Sequence, residues 1–361
     1  MEKYYIFFSY SAGIGPKMFL RLLEYFATAE KIYNAAPDEL INAGLKGKNL
    51  EKYLKFKKEF NLQDILGEIK RKNIWVISHS KFPEGLKSIS NPPIVLYGRG
   101  DKSLLKDKNM IGIVGSRRPT SYGVSVAQGF TRELVESGFT IVSGMALGID
   151  GIAHRTCLKS HGKTIAVLGS GVDLPTPAEH SSLYSEIIKN GGAVVSEFPL
   201  GTNPTKGSFP ARNRIISALS QAIFIPEAAE VSGALITATE AFSQEKKVFV
   251  VPGPITSSLS KGTNSLIRKG GIAVGGVGEI IRELGIKNYE LRKSNNKLNG
   301  LNFSKEEKKI LKLIENESLT IDQIARIAKI PAGKLMSILS DLELKSIIKN
   351  DGGAWSLVFL K

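Results

Sequence analysis

The segment IGIVGSRRPTSYG, residues 111–123, decides the fold of this 361-residue chain. Ile111, Ile113 and Val114 read as a buried strand, and Gly115-Ser116-Arg117 turns sharply out of it. Gln128, Phe130, Leu134 and Val135 then follow at helical spacing. Strand, glycine turn and helix together put backbone donors at the carboxyl edge of a parallel sheet. The turn is not a dinucleotide fingerprint, because Gly112 and Gly115 do not fit G-x-G-x-x-G and no acidic residue closes a following strand. Nor is it a P-loop, since no Gly-Lys-Ser/Thr follows. Its hydroxyl and arginine suit a phosphate without implying a nicotinamide or ATP.

Working outward, the same texture repeats. Strands are expected at WVIS (75–78), IVLYG (94–98), TIVSG (140–144), TIAVLG (164–169), AVVSE (193–197), AIFIPE (222–227), VFVVPG (248–253) and IAVGG (272–276), with helical stretches between most of them. Apolar strands alternating with helices predict an α/β domain over 73–285, an extended parallel sheet with helices on both faces. Residues 1–72 read as a small helical domain, in which Met18, Leu20, Leu22, Leu23, Tyr25 and Phe26 follow Gly13-Ile14-Gly15-Pro16. That turn resembles half of a helix-hairpin-helix (or a SAM-like bundle), and a plain helical bundle with a tight turn accounts for it equally well. Residues 286–303 are polar and read as a linker. Residues 304–361 give three helical stretches, a turn at Asn350-Asp351-Gly352-Gly353 and a strand, the pattern of a winged helix. Its expected recognition helix carries Lys334 and Lys345 but also Asp341 and Glu343, which leaves DNA contact and protein contact both open.

The net charge of +15 suggests a polyanionic partner, but it is spread along the chain; residues 303–361 carry ten basic and eight acidic groups. Arginines in loops are the sharper signal. No apolar run reaches the ~18 residues of a membrane span. The single cysteine, Cys157, permits no internal disulfide, so a reducing cytoplasm is expected. Four scattered histidines give no zinc-ligand spacing, and neither a metal nor a cofactor is expected. The stretch FPARNRIISALS (209–220) packs Arg212 and Arg214 around Asn213 at a helix start, and two guanidiniums so close require an anion or carboxylates. Either DNA phosphate or an ion pair with Glu197 or Glu227 meets that need, with Arg214 the better candidate for the structural role.

The order of GSRRPTSYG, SGMALGIDGIAH (143–154), TIAVLGSGVD (164–173), SEFPLGTNPTKGSFPARNRIISALS (196–220), SGALITATEA and VFVVPG resembles the DNA-processing protein A family, DprA, also called Smf. The likeness covers most of 75–275. It implies an extended Rossmann-like domain that binds and protects single-stranded DNA, dimerises, and loads a RecA-type recombinase during natural transformation. Carried onto this sequence, the implied DNA pocket takes in Ser116, Arg117, Lys206, Phe209, Arg212, Asn213 and Arg214. Gly144 and Gly169 are expected to let the backbone approach the strand closely. Ser232, Gly233, Thr237 and Thr239 are expected along the same edge. Lysine and arginine would neutralise successive phosphates, and Phe209 would offer a face for a base to stack on. Two loops depart from the family pattern: Asp173-Leu174-Pro175-Thr176-Pro177, and Ile225-Pro226-Glu227, where proline must end the strand.

Other readings compete. Related Rossmann-like sheets occur in nucleotide N-glycoside hydrolases, but those carry Pro-Gly-Gly-x-Gly-Thr where this chain has Val251-Pro252-Gly253-Pro254. A transcription factor acting through the C-terminal module is a third. Ser116 has no histidine at a spacing that suggests a nucleophile, and the chain reads as a binding protein rather than an enzyme. Apolar surface for a homodimer is expected around Leu235, Ile236 and Leu266.

Overall fold

The computed structural model describes residues 2–286, 303–314, 318–344 and 347–357. Nine strands form one sheet: β1 (Trp75–Ser78), β2 (Val95–Gly100), β3 (Met110–Ile113), β4 (Thr140–Ser143), β5 (Thr164–Val167), β6 (Ala193–Ser196), β7 (Ala222–Ile225), β8 (Lys247–Val250) and β9 (Ile272–Ala273). Their order is β1-β2-β6-β5-β4-β3-β7-β8-β9. Neighbours from β6 through β9 are parallel, whereas β2 meets both β1 and β6 antiparallel. The expected parallel sheet is therefore extended at one edge by an antiparallel pair. The link from β1 to β2 holds only a 3-10 turn and a four-residue helix, so no full crossover helix carries the chain back for a parallel return.

Alternation along the strands sends successive residues to opposite faces. Ala166 and Val194 join one buried cluster, while Ile165, Val167, Ala193 and Val195 join the other. The N-terminal helices cover the first face: Phe7, Phe8, Phe19 and Tyr53 belong to the same core as Tyr97, Ala166 and Val194. Polar ties reinforce this, with Ser9 Oγ 2.5 Å from Tyr97 Oη and Leu200 N–H donating to Tyr10 Oη at 3.0 Å. Residues 1–72 are helical as expected, but their core is continuous with that of the sheet. The chain divides into two compact units, Met1–Ile280 and Ile281–Lys361.

In the second unit, helices Lys305–Leu313, Ile321–Ala328 and Ala332–Leu344 accompany a three-stranded sheet of β10 (Leu319–Thr320), β11 (Ile348–Asp351) and β12 (Ala354–Leu357), ordered β10-β12-β11. Ile310, Ile324, Leu335, Leu339, Leu342 and Trp355 fill its core. Ser304 with Glu307, and Thr320 with Gln323, form capping boxes that start the first two helices. This is the winged helix expected from the pattern. Lys334 is tied to Glu306 at 2.6 Å. Lys345, and all but the end residues of the expected 286–303 linker, lie outside the described residues. Among the described residues no helix is long and apolar enough to cross a membrane.

Strand order reverses between β3 and β7: β4, β5 and β6 lie to one side, β8 and β9 to the other. A crevice opens beyond the carboxyl ends of strands at such a switch point, and ligands bind there in open α/β sheets.

Candidate nucleic-acid interface

A cleft of about 580 Å³ occupies that switch point. Ser116, Arg117 and Arg118, leaving β3, form one wall. Ala229, Val231, Ser232, Gly233 and Ala234, leaving β7, and Thr237 form the opposite wall. The start of helix Ser208–Leu219 adds Phe209, Pro210, Arg212 and Asn213, with Lys206 just before it. Thr205 and Ser208 hydrogen-bond reciprocally, which opens that helix and sets the direction of the Lys206 loop.

Arg117, Arg118 and Lys206 are exposed, and among the described residues none is paired with a carboxylate. The Arg117 guanidinium lies over the Phe209 ring, 5.4 Å from its centroid. Ser116 is buried; its Oγ accepts from Arg118 N–H at 3.2 Å and its N–H donates to the Glu227 carbonyl at 2.8 Å. Asn213 donates through Nδ2 to the Gly233 carbonyl at 3.2 Å, fastening two walls together.

Arg212 is the unusual member. It is only 4% exposed, one Nη donates to the Val167 carbonyl at 2.7 Å, and its Nε–H has no acceptor among the described residues. Burial pushes its guanidinium down to about 10, partly opposed by the nearby Asp150 carboxylate. Asp150 accepts from the N–H groups of Gly144 at 3.1 Å and Ala146 at 3.4 Å, and burial raises its pKa against the pull of Arg212. Asp150 thus holds the loop after β4 and lends partial compensation to Arg212.

Several expected site residues take other roles. Arg214 faces away from the cleft: its two Nη atoms clasp Glu197 at 2.6 Å each, and Nε donates to the Asn91 carbonyl at 2.8 Å. Successive turns of a helix bring i and i+4 together, so residues two apart point to nearly opposite sides. Gly144 does not line the cleft; a Cβ there would strike the Arg212 guanidinium. Gly169 similarly lies beneath Phe209, where a Cβ would stand 3.1 Å from the ring. Both glycines make room for protein side chains. Thr239 is exposed and bonded to the Leu235 carbonyl, outside the cleft. Of the three apolar residues expected on a dimer surface, Leu266 is core at 4% exposure and Leu235 packs against that core. Ile236 is exposed and lines the cleft.

Sequence reasoning missed Arg118 and Val231, and expected Ile236 on a dimer surface rather than on the cleft's apolar rim. Arg118 was legible as the second half of Arg117-Arg118. The rim follows only from the pairing of β7 with β3, distant in sequence.

Arg214 having taken Glu197, the other carboxylate offered to the arginines, Glu227, is committed elsewhere. It is 2% exposed, with one carboxylate oxygen accepting from Thr120 N–H at 2.8 Å and the other from Thr120 Oγ–H at 2.6 Å. Thr120 caps helix Ser121–Glu136, and a side chain on Gly123 in its first turn would strike this carboxylate. The helix start that follows the glycine turn is therefore occupied by the chain's own anion. Pro226 follows directly after β7 and ends it, as its missing N–H requires.

The sequence matches the family of DNA recombination-mediator protein A over residues 73–285, and the DprA winged helix domain over 301–353. It is 31% identical over 388 residues to Protein Smf of Synechocystis, spanning 98% of this chain and 97% of that protein. The chain belongs to the DNA recombination-mediator protein A family. DNA processing protein DprA of Bacillus subtilis is 41% identical to it over 59% of this chain and 72% of its own length. Among solved structures, DprA of Streptococcus pneumoniae superposes with a TM-score of 0.71 at 30% identity, covering 78% of this chain and 98% of that one. The Helicobacter pylori DNA processing protein A, solved to describe its single-stranded DNA binding mode, superposes at 0.54 with 34% identity, covering 58% and 95%.

Proposed function

We propose that this chain binds single-stranded DNA in the switch-point cleft and, as a homodimer, delivers it to a RecA-type recombinase. The observation that carries the binding step is Arg212. A buried guanidinium whose Nε–H is unpartnered among the described residues, at the edge of a cleft holding three exposed cations, calls for an anionic ligand. Phe209 between Lys206 and Arg117 supplies a ring on which an unpaired base can stack, a face that a duplex keeps hidden. The family's recombination role and the binding mode described for the Helicobacter pylori relative support the reading. Binding rather than catalysis is favoured because Asp150, the carboxylate in the cleft lining, is committed to backbone N–H groups.

Fluorescence anisotropy of labelled single-stranded and duplex oligonucleotides across a salt series tests it. Wild type should prefer the single strand. Arg117→Ala/Lys206→Ala should bind weakly, with the slope of log K against log salt shallower by about 0.7 for each phosphate no longer neutralised. Equal affinity for both DNA forms, or an unchanged double variant that remains folded, would overturn the assignment. Release of free base from nucleoside monophosphates would reinstate a hydrolase.

A further inference from the structure

A second cavity, of about 550 Å³, is lined from the same two loops as the first, those that leave β3 and β7. Thr120, Tyr122, Glu227, Pro252, Pro254 and Ser257 line it. Neighbouring residues of those loops divide between them: residues 116–118 and 229 line the first, while residues 120, 122 and 227 line the second. We infer that this second cavity is a base-sized subsite for the next part of the same DNA strand, with Tyr122 as its stacking platform. The inference rests on the reading of the first cleft as a single-strand site.

Tyr122 is 48% exposed although its hydroxyl donates to the Pro252 carbonyl at 3.2 Å, so the ring is held in place with area left open. Pro252 and Pro254 present flat apolar walls near it. The wall that bears them is fastened: Gly253 N–H donates to Asn264 Oδ1 at 3.2 Å, and Asn264 Nδ2 returns a bond to the Gly253 carbonyl at 3.0 Å. A Cβ on Gly253 would collide with Ser260. A pre-formed aromatic and proline slot of this kind suits the face of a base.

Charge decides which part of a nucleotide enters. The buried Glu227 carboxylate on the wall disfavours a phosphate here. Its remaining lone pairs, and the hydroxyl of Ser257, can meet the polar edge of a base. The exposed Arg117 and Arg118, on the first cleft and a few residues before Thr120 and Tyr122, suit the phosphates that join one base to the next.

The test uses the full chain with a labelled oligothymidylate of twelve nucleotides, compared with a two-nucleotide thymidylate that reaches only the first cleft. Tyr122→Ala should weaken the longer ligand roughly 5- to 150-fold, the range for a single base stacked on an aromatic ring. Its salt slope should stay unchanged, because the substitution removes no cation. The dinucleotide should bind as to wild type, and Tyr122→Phe should keep most of the affinity for both. An oligonucleotide carrying 5-iodouracil should photo-cross-link to Tyr122 as well as to Phe209. If Phe209→Ala weakens binding while Tyr122→Ala binds like wild type and no cross-link reaches Tyr122, the second subsite is wrong and the first cleft stands. If neither variant changes affinity, the first cleft itself is misassigned.

Discussion

Arg212 and Arg214 sit two positions apart on one helix, and their surroundings divide the work between them. Arg214 is fully answered by Glu197, Asn91 and Ala211, so it anchors the helix to the end of β6 and to the loop before β2. Removing one partner of a buried pair leaves an uncompensated charge, which costs about 3–5 kcal/mol. Arg214→Ala should therefore lower the stability of the first unit by that amount in chemical denaturation. Arg212→Ala removes a guanidinium that is incompletely satisfied, so it should cost less in stability and more in DNA affinity. Paired denaturation and anisotropy measurements on both variants check the division; equal stability losses would contradict it. The doublet was legible in the sequence as a charge problem awaiting anions. Arg214 was the expected structural member and does pair with Glu197, the helix's rotation against β6 bringing it there.

At the scale of elements, helix Ile149–Lys159 carries a buried titratable group. His154 Nδ1 lies 2.7 Å from Thr164 Oγ1, and that hydroxyl already donates to the Ile141 carbonyl at 2.8 Å. The imidazole must then donate from Nδ1, which leaves Nε2 bare, buried and without a partner among the described residues. Burial, aided by the neighbouring His180 and Arg212, pushes its pKa down to about 3 from 6.5. Between those values the unfolded chain takes up a proton that the folded one refuses, so stability falls as pH drops from about 6.5 toward 3. Above 6.5 this residue contributes no pH dependence. His154→Gln should be less stable at pH 7.5 yet lose stability less steeply between pH 6 and 4, as followed by thermal melts. The strands around this helix were readable because each is an apolar run bounded by glycine or charge. The antiparallel sense of β1 and β2 was not, since WVIS and IVLYG carry the same composition whichever way they run. Arg117 was readable from its type in the glycine turn, whereas Lys206 and Phe209 were expected in the pocket only through the family resemblance. The roles of Gly144 and Gly169 were not, because a close approach to backbone looks the same in sequence whether a ligand or a side chain makes it.

Across the whole molecule, the shared core of the N-terminal helices and the sheet has a mechanical meaning. Deleting residues 1–72 would uncover Tyr97, Ala166 and Val194 on one sheet face, and the shortened chain should aggregate or fail to melt cooperatively. Ending the chain at residue 286 should leave the melting temperature of the first unit unchanged, since the second has its own core. A soluble, cooperative fragment beginning at residue 73 would show the helices to be dispensable. One further consequence belongs to Glu227. The amide end of the first crossover helix in such a sheet is ordinarily a docking berth for the diphosphate of a small metabolite. With that berth filled by a carboxylate of its own, the molecule gives loose mononucleotides little to hold. On the proposed reading, a polymer that spans both cavities at once keeps its grip, and abundant monomers make poor competitors for it.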